Sequence, residues 1–262
     1  MEARPPREIA EQVEKVGVAK ARMDALTLLV LAILAGAFIS LGALFFTVVI
    51  TESKLGFGVT RLLGALSFCL GLILVVVGGA ELFTGNNLLA MAWASRLIST
   101  AEVLRNWAIV YVGNVLGCLG TVGFVVWGDI ASLGPEKAVG KTALAIAQAK
   151  ANLGLSECFA RGVMCNALVC MAVWLTLGGR SVADKILAIL FPISAFVAMG
   201  FEHSIANWFF LPWALALDTE HRVPLTGAVS NQIIVTLGNI AGGTILVAAV
   251  YWLAYLRGSR TS

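Results

Sequence analysis

The chain has 262 residues, 59% of them hydrophobic and 13% charged, with a formal charge of +3, and its mean hydropathy is +0.91. That leaves too little polar surface to wet the outside of a water-soluble protein. Twenty-seven glycines without a triplet period and only 6 prolines exclude collagen-like and low-complexity chains. No block of Lys and Arg is dense enough to neutralise a run of phosphates, so a nucleic-acid partner is excluded too. The five cysteines, Cys69, Cys118, Cys158, Cys165 and Cys170, are odd in number and lie in or beside apolar runs without paired metal-ligand spacing. They read as packing residues, with no metal and no cofactor expected. A multi-span membrane protein remains.

In chain order, residues 1–25 contain an amphipathic stretch in which Ile9, Val13 and Val16 recur at helical spacing against Glu8, Glu11, Glu14, Lys15 and Lys20. It is expected to be an interfacial helix, and no cleavable signal peptide is expected before it. Six apolar segments follow, at about 26–50, 61–95, 107–127, 158–178, 186–217 and 230–256. Each is long enough to span, since about 20 apolar residues suffice. Two of them are too long and carry a polar, glycine-containing interruption, residues 78–87 and 200–207. Each of these reads as two half-helices joined by irregular backbone, tolerated at membrane depth only inside protein or along a cavity. The transmembrane domain is therefore 26–256, with a tail at 257–262. Lys and Arg near the helix ends number eleven on the side of both termini, Arg260 among them, and six on the other. That excess places both termini in the cytoplasm. Trp107, Trp127 and Trp252 fall near span ends and read as interfacial anchors, and His221 as a solvated loop residue.

The sequence also repeats itself. Gly79, Glu81 and Asn86 recur as Gly200, Glu202 and Asn207 at an offset of 121. Asn106, Gly113, Asn114 and Gly117 recur as Asn231, Gly238, Asn239 and Gly242 at an offset of 125. Each unit, about 26–127 and about 158–256, has three crossings. An odd number inserts the second unit upside down, so the expected fold is an all-α 3+3 inverted repeat with two broken helices, the pattern of a transport pathway near the midplane.

Ionised groups at such depth are expensive and need a reason. Glu81 and Glu202 are placed symmetrically and read as loop supports that accept backbone N–H groups freed by the breaks, with proton relay as the minor alternative. His203 has no counterpart, because Leu82 occupies the equivalent position, and it reads as facing a pathway, able to titrate near neutrality and to donate to a small anion. Thr84 adds a hydroxyl to the same site. Lys150 ends a polar stretch and reads as a solvated lysine in the absence of other information. Glu157 and Arg161, four apart, read as a helix ion pair. Phe68, Leu72, Leu82, Phe83 and Phe196 are placed to narrow a pore, and such a constriction resists a bare anion more than a neutral acid.

These motifs resemble the formate/nitrite transporter family over nearly the whole chain. VVGGAELFTG, 76–85, is similar to its first signature throughout, and GVMCNALVCMA, 162–172, to its second, except at Ala167 and Met171. GFEHSIAN, 200–207, is similar to its central-histidine segment. The resemblance implies an aquaporin-like protomer with its own pore, assembled as a homopentamer in the inner membrane and passing formate, nitrite or hydrosulfide, in that order of expectation. It also implies that His203 is the central pore histidine with Thr84 facing it, that Lys150 is the outer-vestibule lysine, and that Asn166 and Asn207 are pore and loop-supporting asparagines. Phe68, Leu72, Leu82 and Phe196 become the constriction, and the amino-terminal helix is implicated in gating. The expected mechanism starts with Lys150 drawing in the anion. A falling dielectric then favours its protonation, and the neutral or hydrogen-bonded species crosses the narrowing past His203 and Thr84, which donate hydrogen bonds or exchange the proton, so transport is expected to be passive or proton-coupled. The opposing class, an intramembrane enzyme using Glu202 and His203, lacks a nucleophile or cofactor motif. A scaffold without transport would not need two polar breaks.

Overall fold

Apolar runs can cross a bilayer only if their backbone groups bond within the segment, and every regular element in the computed structural model, which describes residues 3–258, is helical. Helix α1 (Pro6–Ala21) opens with proline at its first position, where no N–H is needed. Asp24 caps α2 (Ala25–Ile50) by accepting the Thr27 N–H at 3.0 Å. Helix α3 (Phe57–Gly78) stops at Gly79, whose φ of +78° suits glycine. The chain then runs irregularly to a short 3-10 turn at Gly85–Leu88 and α4 (Leu89–Ala94). Next come α5 (Thr100–Trp127) and α6 (Ala138–Ala151), followed by α7 (Leu155–Gly178) and α8 (Val182–Ala198). Five residues after α8 ends, the chain restarts as α9 (Ser204–Leu217). Helix α10 (Leu225–Tyr255) closes the fold, with a wider π turn at Gly242–Ala249.

Helices α2, α3, α5, α7 and α10 are each long and apolar enough to cross a membrane, whereas α9 is a shorter apolar helix. The crossing expected at 186–217 is thus the pair α8 and α9. Several helices begin earlier than the hydropathy did, because polar caps precede the apolar run: Ser99 and Glu102 form a capping box before α5, and Ser181 and Asp184 another before α8. Helix α6 stands where only a polar stretch was expected. Its alanines favour a helix, and Lys141 and Lys150 hide it from a hydropathy scan.

The halves pack alike. Helix α2 lies against α3 and α5 as α7 lies against α8 and α10, and α1 lies against α4 as α6 lies against α9. Close approach depends on glycine. A Cβ on Gly117 would stand 2.0 Å from the Ile33 carbonyl oxygen, and one on Gly242 would stand 2.1 Å from the Val163 oxygen. These are one contact made twice, the small-residue face of each half. The amino-terminal helix also touches the last turns of α10, so the described ends of the chain share one face. It does not merely float at an interface. Ile9, Val13, Glu14 and Gly17 are buried against the bundle, Arg4 donates to the Leu177 carbonyl, and Ser95 donates to Glu14 while accepting from Trp252. The tail expected at 257–262 lies mostly outside the described residues, as does Arg260.

We predict that Gly117→Ala and Gly242→Ala each destabilise the detergent-solubilised protein by about 1–3 kcal/mol, the usual penalty of overpacking. Thermal unfolding checks this, with Gly120→Ala, which meets nothing within 4 Å, as the neutral comparison.

Candidate functional site

Breaking a helix inside an apolar bundle frees backbone groups that water cannot reach, and each costs about 1–3 kcal/mol if left unpaired. Two asparagines take them up. Asn114 accepts the Phe83 N–H at 2.9 Å and donates to the carbonyls of Ala32, 2.7 Å, and Glu81, 2.9 Å. Asn239 accepts the Ser204 N–H at 2.9 Å and donates to the carbonyls of Gly162, 2.8 Å, and Glu202, 2.9 Å. Both side chains are wholly buried.

The carboxylates therefore do something other than expected. Glu81 takes the Lys20 ammonium at 2.9 Å and the Asn86 amide at 2.8 Å. Glu202 takes the Lys150 ammonium on both oxygens, at 2.9 and 3.0 Å, and the Asn207 amide at 2.7 Å. Asn106 and Asn231 complete each cluster. They accept from Asn86 and Asn207 at 3.0 and 2.8 Å, and donate to the backbone carbonyls of Lys20 and Lys150, both at 3.0 Å. Lys20 is the residue that sequence reasoning missed. It precedes Lys150 by 130 positions, the offset that also relates Ala32 to Gly162. The duplicated unit consequently includes α1 and α6, and that common offset was the signal that could have found it.

His203 sits on the first turn boundary of α9, where its Nδ1 accepts the Ala206 N–H at 3.0 Å and caps the helix. That acceptor role puts the ring proton on Nε2, which stands 3.0 Å from the Thr84 hydroxyl in the other break. A neutral ring that donates from Nε2 fits both bonds, whereas a cationic ring would give up the cap. Phe196 stacks on the imidazole with centroids 5.9 Å apart, and Phe68 meets Phe196 edge-on at 5.7 Å.

Above these rings a cavity of about 430 Å³ opens on the face away from the chain ends, with Phe68, Phe196, His203, Asn207, Glu202 and Lys150 on its walls together with Arg61 and Arg161. The other expected site residues lie outside that cavity. Leu72 and Leu82 are buried in the main core. Phe83 packs against Tyr111, 4.9 Å, and Trp107, 6.2 Å. Asn166 is directed at the first break, where its amide reaches the Thr84 carbonyl at 3.2 Å and the Asn87 side chain at 2.7 Å.

Two other expectations meet different partners. Glu157 turns back to the Gly154 N–H at 3.0 Å instead of pairing with Arg161, because a free N–H at a helix start competes with a mobile cation. Trp107 donates to the Asn86 carbonyl at 3.0 Å and so supports a break, where an interfacial anchor was expected. His221 is exposed in a turn with φ of +55°. All five cysteines are buried and free.

Two helical halves inverted about a pair of broken helices, with a mainly apolar cavity that carries charged side chains and reaches the second break, define a membrane channel or transporter. Residues 7–253 match the family described as formate/nitrite transporter, and the chain belongs to that family. The formate channel FocA of Escherichia coli K12 is 36% identical over 270 residues, covering 96% of this chain and 94% of that protein. A solved pentameric formate channel with formate bound is 38% identical, with a TM-score of 0.79 over 89% of this chain and 98% of that one. A solved FNT family ion channel is 27% identical, with a TM-score of 0.87 over 94% and 98%.

We predict that Lys150→Met, which strands a carboxylate whose side chain is 5% exposed, destabilises by about 3–5 kcal/mol. Lys150→Met combined with Glu202→Gln should recover most of that loss. A double-mutant cycle on thermal unfolding reads the coupling, and additive effects would mean the pair is not held together.

Proposed function

We propose that the chain conducts small monovalent anions across the cell's inner membrane, formate first, through one pore in each protomer of a homopentamer, with both termini in the cytoplasm. The observation that carries this reading is the Thr84–His203 contact of 3.0 Å, which joins the two breaks directly beneath a cavity rich in cationic groups. Formate-channel relatives with high coverage support the substrate, and nitrite and hydrosulfide share its size and charge.

An anion entering the cavity leaves water for an environment of lower dielectric, which favours its protonated form. Phe68 and Phe196 form the apolar collar that a neutral acid passes more readily than an ion. Because Nδ1 is committed to the helix cap, His203 meets the permeant with its Nε2–H, exchanging the Thr84 oxygen for an oxygen of the acid. Thr84 keeps its own hydroxyl proton to offer on the other side. Lys150, and Lys20 at the opposite break, bind the carboxylates that pin α6 and α1 to these breaks. An acid/base enzyme built on Glu202 and His203 is disfavoured, since Glu202 is occupied by Lys150 and Asn207 while the reactive edge of His203 faces Thr84.

Proteoliposomes carrying the protein should equilibrate a formate gradient without altering formate, faster as the outer pH falls below neutral. His203→Phe should slow the flux at least about tenfold, the kinetic weight of about 1.4 kcal/mol. Stopped-flow uptake checks both, and a flux indifferent to pH and to this substitution would overturn the scheme.

A further inference from the structure

The network at each break is built twice from the same residue types, Lys20 with Glu81, Asn86 and Asn106, and Lys150 with Glu202, Asn207 and Asn231. A group required by the scaffold should therefore appear in both halves. Arg161 and Arg61 do not. The backbone carbonyl of Arg161 receives the Glu202 N–H at 3.3 Å, and in the first half Leu31 does the same for Glu81 at 3.1 Å. The position equivalent to Arg61, 121 residues on, is Val182. Both arginines nevertheless line the cavity that ends at Phe68, Phe196 and His203.

Their bonding differs from that of Lys150. Two of the three Lys150 N–H donors go to the two oxygens of Glu202, and the Phe210 ring centroid lies 5.3 Å from its nitrogen, so its charge is offset locally. Arg61 gives Nε and Nη2 to the carbonyls of Ala198 and Val197, at 3.1 and 2.9 Å, at the end of α8. Its Nη1 has no partner among the described residues. Arg161 has neither a carboxylate nor a hydrogen-bonded partner for its side chain among the described residues. The cavity thus holds three cationic side chains against one carboxylate, and the two cations left in excess are the arginines. A guanidinium with uncommitted N–H groups in a low-dielectric concavity matches the planar oxygens of a carboxylate better than an ammonium already clamped by one.

We propose that Arg161, with Arg61 beside it, is the group that first binds the permeant anion in this vestibule, while Lys150 acts mainly as the counter-ion that positions Glu202 and the second break. This rests on the anion-channel reading above. Formate-concentration dependence of initial uptake should be measured in proteoliposomes for the wild type, Arg161→Gln, Arg161→Lys, and Arg161→Gln with Arg61→Gln. Loss of Arg161 should raise the half-saturating formate concentration about tenfold, the lower end of what electrostatic focusing supplies, and the double change should raise it further. Arg161→Lys should recover only part of the loss, because the charge is restored but the planar fork that matches a carboxylate is not. The differences should vanish in about 1 M of an impermeant salt, where the screening length is about 3 Å.

Because Arg61 also holds the end of α8, the Arg161 variants alone keep the test decisive if the double variant unfolds. An unchanged half-saturation in Arg161→Gln beside an active wild type would overturn this assignment and leave the channel reading standing. A wild type that passes no formate would overturn both.

Discussion

The structure depends on pairing the backbone groups set free where two helices break away from water. Asn114 and Asn239 each make two hydrogen bonds to one break, and with a third each ties that break to a neighbouring helix, α2 in one half and α7 in the other. A carboxylate could have accepted the N–H but could not have donated to two carbonyls. An asparagine amide offers two donors and an acceptor on one short side chain, where a hydroxyl has a single donor, and all three are used here.

Once the loops are held by amides, the buried carboxylates are released for a second task. Glu81 and Glu202 anchor lysines delivered by α1 and α6, which pins a peripheral helix to each break. Removing such charges from water is costly, and the geometry that offsets it is specific: short ammonium contacts, an amide on the remaining lone pairs, and a second asparagine behind. Helix α1 therefore does more than rest on the bundle. Its Lys20 reaches the first break, so a displacement of α1 would strand Glu81.

Much of this was legible in the sequence, for identifiable reasons. The breaks at 78–87 and 200–207 showed as polar interruptions of overlong apolar runs, and the inverted halves showed through paired glycines and asparagines at fixed offsets. Thr84 and His203 could be brought together because they lie in equivalent breaks of opposite orientation. What stayed hidden was directional. A carboxylate beside a freed N–H looks like its natural acceptor until the partners arriving from distant helices are known. Lys20 looked like part of a solvated face, because nothing local shows that a lysine five residues before a span reaches back to residue 81. Glu157 and Arg161 had the right spacing for a pair, but a helix start claimed the glutamate.

The absence of a twin for His203 has one more consequence. A passage assembled from two like pieces laid head to tail looks the same from either entrance, and so has no built-in sense of inward or outward. Any rectification must come from positions where the pieces differ. Along this route those include imidazole against Leu82, the Thr84 hydroxyl against Ile205, the collar rings of Phe68 and Phe196 against Ile189 and Val75, and Arg61 and Arg161 against Val182 and Leu31. Whatever polarity the conduit has is carried by such mismatched pairs, while the twinned lysine, carboxylate and asparagine clusters are neutral as to direction.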